Sequence, residues 1–498
     1  MAAEKTDVTC IRKADWVVAW DADRSTHVYL RNADIAFSEA GVLYIGAAYD
    51  GICSEEIDGQ NLMAMPGLIN VHTHPSNQPT FKGVREELGN PNFYQSGLYD
   101  GRTAFASDAE DRHWNARFAY WEMLRSGVTT VVDMSFPYPR WLEAAMDSGL
   151  RVYISPLFES RHWKVPNSHT LTYTEERDGG EAALIEALSL IDEAKKHGDG
   201  RLGAMVTPMA IDVCEESLLM EALAAARERD CGVQLHAGEA VMEFHEVTRR
   251  YGMTQMQWLE KIGFLAPDVT IGHGLFLGHH SWLSWDFRED IEILAASGAA
   301  VSHCPTVFSR YGITMESFGA YVRAGIPMGI GTDTHPHNMI EEMRHAVIAS
   351  RIAERRISGG RTIDAFNAAT LGGAKILGRD DIGRLAVGAK ADIVLVELDD
   401  PSMMPVYDPI RCLVFTAADR PVRDVFVGGR AAMRNRAVAG LDIAEISAKT
   451  QEMQSHGVAQ ARQRDHSARS AEQIAPLTLP LKEMKQPTQA KQGELSNV

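Results

Sequence analysis

Residues 329–338 read GIGTDTHPHN, and residues 66–75 read PGLINVHTHP. Each is a short run of small and apolar residues that breaks off in metal-ligand side chains: Asp333, His335 and His337 in the first, His72 and His74 in the second. A run that is apolar along its length and polar at its end suits a strand buried on both faces, as parallel sheets provide. Six further runs lie between them, VTTVVDM, RVYISP, GAMVTP, GVQLHAGE, VTIGHG and AAVSHCP, making eight with GLINVH and PMGIGTD.

The intervening segments have helical spacing. EESLLMEALAAARERD (215–230) places leucines and alanines on one face and charges on the other. AALIEALSLIDEAKKHG (182–198) does the same and closes on Lys195, Lys196, His197 and Gly198, a basic last turn followed by a glycine stop. Eightfold alternation of strand and helix predicts an α/β fold, a (β/α)8 TIM barrel over residues 66–380.

Residues 1–65 and 381–440 carry strand and turn patterns such as GVLYIGAAYDG, KADIVLVELD and VRDVFVGGR. Both flanks are short for separate cores, so they are expected to combine as a small composite β-sandwich domain. Residues 441–498 form a polar tail without Phe, Tyr or Trp. Such a segment buries little apolar surface, which predicts disorder or a helix docked on a partner.

The chain has 498 residues, 45% of them hydrophobic, and a formal charge of −18. The acidity argues against nucleic-acid binding. The N-terminus MAAEKTDVTCIRKADW has no apolar signal core, and no run approaches the roughly 18 apolar residues of a membrane span. A cytoplasmic protein with a small-molecule substrate is expected. Cys10, Cys53, Cys214, Cys231, Cys304 and Cys412 are scattered without a C-x-x-C pair, so neither a disulfide framework nor a zinc knuckle is indicated.

In a TIM barrel, function sits at the carboxyl ends of the strands. Those ends here carry His72, His74, Asp133, His236 followed by Glu239, His273, His303 and Asp333. Strands one and eight are neighbours in a closed barrel, so the HTH and GTD phrases should meet. Residues i and i+2 of a strand share a face, so His72 and His74 can present two imidazoles to one ion. With His236 and Asp333 they form a nitrogen-rich set suited to zinc, iron or another divalent metal, which lowers the pKa of a coordinated water toward neutrality. H-x-H alone is a weak signal in a chain of 18 histidines that also contains THPH and the adjacent His279 and His280. Its weight comes from ligand-type residues gathering at the ends of strands one, five and eight.

MPGLINVHTHP, SGVTTVVDM, LHAGE, YGMTQMQWLEKIGFLAPDVTIGHG, VSHCP, GIGTDT and DIGRLAVGAKADIVLVE together resemble the amidohydrolase superfamily, in its cytosine deaminase and triazine hydrolase-like branch, over roughly residues 60–430. The resemblance implies one divalent metal on His72, His74, His236 and Asp333, with zinc first and iron, manganese or cobalt as alternatives. It implies proton transfer by Glu239, a substrate- or water-holding role for His273, catalytic participation of Asp333, and a homo-oligomer. The fourth strand offers no lysine to bridge a second metal, and Glu159 is the residue that would overturn a single-metal site. Asp133 and Cys304 either take part in chemistry or simply order strand ends.

Two segments depart from the branch. PSNQPTFKGVREELGNPNFYQSGLYDG (75–101) has Lys82 where an arginine is usual, followed by Phe93, Tyr94 and Tyr99, and is similar to phenylurea and thiocarbamate hydrolases. LGHHSWLSWDFRED (277–290), with Trp282 and Trp285, is either a packed surface loop or a wall of the site. The aromatics favour a flat or apolar substrate. The expected activity is hydrolysis of a non-peptide C–N bond in a small aromatic or heterocyclic compound. A chlorohydrolase and a non-catalytic barrel scaffold are the alternatives.

Overall fold

A computed structural model of the chain describes residues 7–482 apart from 91–92, 94, 100–103, 168, 198–199 and 418–420. Tyr94 and the end of the tail therefore lie outside the described residues.

The eight runs form parallel strands in two sets. The first holds β1 (Leu68–Thr73), β2 (Val128–Ser135), β3 (Arg151–Phe158) and β4 (Leu202–Ala204), with Thr207–Pro208 continuing alongside β3. The second holds β5 (Val233–Ala237), β6 (Val269–His273), β7 (Ala300–His303) and β8 (Met328–Ile330). All residues of β1, β2, β3 and β5 to β8 are buried, as near-continuous apolar strands covered on both faces require.

The ladders do not run as one closed sheet. Isolated parallel bridges join the sets on both sides: Val206 with Val233 and Ala210 with His236 on one, Thr73 with Asp333 on the other. Helices lie between the strands, and the two anticipated from spacing span Glu181–Ala194 and Glu216–Glu228. The first is capped at Lys195; Gly198 lies outside the described residues.

The two ends of the chain share a sheet. Strand Leu62–Pro66 pairs antiparallel with Ile393–Glu397 and parallel with Thr9–Asp21. Thr26–Ser38 and Gly41–Gly46 extend one side, Val422–Val427, Arg430–Arg434 and Ala437–Val438 the other, and Glu55–Asp58 pairs parallel with Thr9–Asp21, giving one nine-stranded sheet. Its apolar face buries Ile11, Val17, Phe37, Ile393 and Phe426. A buried ion pair, Arg151 with Asp392 at 3.1 Å, ties β3 to this part of the molecule.

The tail behaves differently from its composition. Residues Ile443–Arg464 form one helix that buries Ile446, Thr450, Met453, Gly457 and Ala461, spaced to fall on one stripe. This stripe packs on helix Arg112–Arg125 and on the turn Pro79–Phe81 of the same chain. Small residues allow a close approach without aromatic side chains: Phe105 O lies 3.1 Å from the position a Cβ on Gly457 would take.

Candidate active site

The two phrases meet at their backbones. Asp333 N donates to His72 O at 2.8 Å, and His74 N donates to Asp333 O at 2.9 Å, so the end of β1 and the segment that follows β8 hold each other. Asp333 and His273 have φ of 56° and 76°, left-handed values that cost a residue with a Cβ. Both occur where a strand ends and its side chain turns toward the same point.

Each of three imidazoles is oriented by its Nδ1. His74 Nδ1 bonds to Met134 O at 2.6 Å, His236 Nδ1 bonds to Met209 O, and His72 Nδ1 bonds to Gln234 Oε1 at 2.5 Å. Gln234 Nε2 is itself committed to Val71 O at 3.0 Å, so its oxygen faces His72. All three acceptors can only accept. The proton of each neutral ring therefore sits on Nδ1 and a bare lone pair remains on Nε2. His74 Nε2 and His236 Nε2 face each other at 3.2 Å, and Asp333 Oδ1 lies 3.2 Å from His74 Nε2 and 3.6 Å from His72 Nε2.

Burial holds His72, His236 and His273 below the ordinary imidazole pKa, so none readily carries a proton into this cluster. Burial pushes the Asp333 carboxyl up, but its contacts with His72 and His74 prevail and hold it well below the usual range. Lone pairs and a carboxylate converging without protons repel unless a cation sits among them. Donor atoms of His72, His74 and Asp333 lie within 4.8 Å of one another, as do those of His72, His236 and His273. His273 has both ring nitrogens buried without a partner among the described residues. Nitrogen and carboxylate donors at this spacing fit a divalent transition metal.

Glu239 stands beside this cluster, on the loop between β5 and helix Val241–Tyr251. Sequence reading passed over the residue that shapes this loop. Glu243, buried in the first turn of the helix, accepts from Gly238 N at 2.7 Å, Glu239 N at 3.2 Å and Gln255 Nε2 at 3.1 Å. A further anchor comes from Gln95, whose Nε2 donates to Glu239 O at 3.3 Å and whose Oε1 accepts from Val241 N at 2.8 Å.

A cavity of about 640 Å³ opens over these groups, with His74, His236, Glu239 and Asp333 in its wall. Phe93 and Trp282 line it, as anticipated, and so do Phe136, Trp163, Phe308 and Tyr311, which were not. Phe308 lies four residues after Cys304, where the chain enters a helix beyond β7, and could have been found there. Trp163 sits on the hairpin of Arg161–Lys164 and Thr172–Glu175 that follows β3, and nothing in RHWK signals it.

Other candidates lie elsewhere. Asp133 accepts from Tyr120 Oη at 2.5 Å, Ser135 Oγ at 2.6 Å and Trp141 Nε1 at 2.7 Å, which makes it a buried strap for the end of β2. His303 stacks on Phe318, and Cys304 is a fully buried thiol pushed up by burial, so it holds no ready thiolate. Glu159 pairs with His162 at 2.5 Å and is absent from the cavity wall. Lys82 pairs with Glu122 and lies over the Phe118 ring, outside the cavity wall; its replacement of an arginine therefore bears on packing. His335 bonds to Glu86 at 2.9 Å, and His337 to Thr73 and Thr332. Tyr99 stacks behind Phe93, and Trp285 packs on Phe244. The 277–290 segment thus both packs and supplies Trp282 to the wall.

The amidohydrolase family profile matches residues 63–432. The 5-methylthioadenosine/S-adenosylhomocysteine deaminase of Halobacterium salinarum is 30% identical over 398 residues, which cover 79% of this chain and 86% of that protein. Among solved structures, an adenosine deaminase from Xanthomonas campestris with bound zinc superposes with a TM-score of 0.77 at 22% identity, over 91% of this chain and 98% of that one. The atrazine chlorohydrolase of Arthrobacter aurescens TC1, complexed with zinc, gives 0.75 at 24% identity, over 90% and 100%. At that identity the two structures speak for the α/β fold. The family match spans well over half of the sequence, and the chain belongs to the amidohydrolase family, as a hydrolase acting on carbon–nitrogen bonds other than peptide bonds.

Proposed function

We propose that this protein is a metal-dependent aminohydrolase that replaces an exocyclic amine of a nitrogen heterocycle by oxygen and releases ammonia. The observation that carries the reading is the set of three Nδ1-protonated imidazoles with bare Nε2 atoms facing the Asp333 carboxylate. His72, His74, His236 and Asp333 would hold one divalent ion, with zinc favoured by the bound zinc of the solved relatives. When bound, such an ion supplies Lewis acidity and water activation near neutral pH.

The chain's own groups do the rest. The Glu239 carboxylate takes the proton of the attacking water and returns it to the exocyclic nitrogen, which departs as ammonia once protonated. A neutral His273, with both ring nitrogens unmatched, holds the attacking water or the developing oxyanion. Phe93, Trp163, Trp282 and Phe308 offer flat faces to a planar ring. The deaminase names of the curated relatives support an aminopurine nucleoside over a triazine.

The same reading takes residues 66–380 as a closed (β/α)8 barrel, the bridges at Thr73 and Val206 supporting closure. It takes 1–65 with 381–440 as one composite β domain and 441–498 as a tail. The test is Glu239→Gln, which should keep its metal and lose roughly 10²- to 10⁴-fold in ammonia release from aminopurine nucleosides. Wild-type turnover in a metal-loaded Glu239→Gln protein would refute the assignment, and chloride release without ammonia across a panel of chlorinated and aminated heterocycles would replace it with a chlorohydrolase.

A further inference from the structure

Trp163 enters the cavity wall on a two-stranded hairpin, Arg161–Lys164 with Thr172–Glu175, and a hairpin of this size is marginal unless something holds it. Its base is tied by Arg161 to Glu215 and by His162 to Glu159, each at 2.5 Å. The cavity-facing part is tied by a buried acid. Asp212 Oδ2 accepts from Trp163 Nε1 at 2.8 Å and from Tyr173 Oη at 2.9 Å. Trp163 and Tyr173 are directly opposed across the two strands, so one oxygen clamps both strands at the same level.

Asp212 is in turn fixed to the metal-ligand end of the barrel. It follows Thr207–Pro208, where Ala210 bridges with His236 and Ile211 N donates to His236 O at 3.0 Å. Arg250, on helix Val241–Tyr251, donates Nη1 to Asp212 O at 2.9 Å and lies over the Tyr173 ring at 5.0 Å. From His236 to the indole the connection therefore runs through two residues and one side-chain hydrogen bond. Tyr99 backs the indole, edge-on to Trp163 at 5.0 Å and stacked on Phe93 at 5.7 Å.

The acid is a costly tie. Asp212 is fully buried, its Oδ1 has no hydrogen-bond partner among the described residues, and burial pushes its carboxyl up despite the donors on Oδ2. An apolar side chain of similar size would hold a hairpin without that cost. What the carboxyl adds is direction, because its oxygen sets the orientation of the indole ring.

We infer that Asp212 is a positioning residue for substrate binding: it fixes the Trp163 indole relative to His236 and so places the face on which the substrate ring stacks. The ring rests on the aminohydrolase reading; the clamp rests on the hydrogen bonds of Asp212.

The test uses full-length, metal-loaded protein with three planar probes: adenosine, its 6-oxo product inosine, and 2-chloro-4,6-diamino-1,3,5-triazine. Calorimetry gives Kd, and ammonia release gives kcat and KM. Asp212→Leu should raise Kd and KM about 5- to 100-fold, the usual worth of a base stacked on an aromatic side chain, with kcat within about threefold of wild type. Hydrogen exchange should quicken across 161–175 while the barrel strands stay protected. Asp212→Asn keeps a carbonyl oxygen for both donors and should restore Kd to within about threefold. Trp163→Phe deletes the indole N–H, and combining it with Asp212→Leu should add less than about twofold to the effect of Asp212→Leu alone. If Asp212→Leu does not fold, Trp163→Phe decides: it must raise Kd and quicken exchange at 172–175 on the opposite strand.

A folded, metal-loaded Asp212→Leu protein with wild-type Kd overturns the inference, as do effects of Asp212→Leu and Trp163→Phe that multiply. Wild-type protein that binds none of the three probes also overturns it. Asp212-dependent binding of a ring without ammonia from any compound would sustain the inference and defeat the aminohydrolase reading; ammonia release with a Kd indifferent to Asp212 would do the reverse.

Discussion

Replacing Glu243 by Gln isolates the support beneath the proposed proton carrier. The two oxygens of Glu243 receive three N–H donors, from Gly238, Glu239 and Gln255. A glutamine has one acceptor oxygen and one NH2 group. If that oxygen keeps Gly238 and Gln255, the NH2 group faces the N–H of Glu239 and leaves it unsatisfied. A buried donor without a partner costs about 1–3 kcal/mol. Because the affected N–H belongs to Glu239 itself, the loop should relieve the conflict by moving the backbone that carries the proposed proton-transferring carboxyl. At roughly 1.4 kcal/mol per factor of ten, kcat should fall about 10- to 100-fold. Glu243 does not line the cavity, so KM should stay within about threefold, and the metal ligands are untouched, so metal content by mass spectrometry should match wild type. The split matters because a purely structural role lowers the melting temperature while folded enzyme keeps its turnover. A metal-loaded Glu243→Gln protein with wild-type kcat would refute the claim that this carboxyl places Glu239.

Three further outcomes are expected. His236→Ala removes one bare Nε2 from the cluster and should lose bound metal and activity together in dialysed protein; a fully loaded variant would exclude His236 as a ligand. Burial pushes His27 down to about 4 and His303 to about 3, so both are neutral in the fold. Their contribution to stability is present above the ordinary histidine pKa near 6.5 and is lost as pH falls toward the folded values, about 1.4 kcal/mol per unit for each. Denaturant unfolding between pH 6.5 and 4 should show this slope, and His27→Gln should flatten it by about one proton; equal slopes would contradict the reading. Gln454 Nε2 donates from the tail helix to Thr80 O at 2.9 Å and Lys82 O at 2.8 Å, close to the cavity-lining stretch 76–78, so Gln454→Ala should raise KM about three- to tenfold with a smaller change in kcat. An unchanged KM would mean that the helix does not brace the cavity.

Much of the site was legible because strand geometry turns sequence position into direction. Eight apolar runs ending in polar residues located the strands, and their ends brought His72, His74, His236, His273 and Asp333 to one place. Glu243 escaped notice because its value lies in backbone donors, which leave no mark on composition. The tail escaped because low aromatic content was read as an inability to bury surface. The Ile446, Thr450, Met453, Gly457 and Ala461 stripe does bury it, on a surface made by residues more than 300 positions away. Pairings of that sequence separation have no local signal.

The phrase GIGTDTHPHN shows where the sequence rule stops. Asp333 is held at the cluster by an isolated parallel bridge with Thr73 of β1, its N–H and C=O bonded to His72 and His74. Two residues on, His335 is bound to Glu86, and His337 lies under Thr73 and Thr332. Period-two alternation would have sent all three side chains to one face, but it holds only while the backbone stays extended. With φ of 56° at Asp333, the backbone is no longer extended there. HTH and DTHPH look alike as text; β1 reaches Thr73, between its two histidines, whereas β8 ends at Ile330, three residues before Asp333. That difference in strand length is why one phrase contributes two imidazoles and the other a single carboxylate.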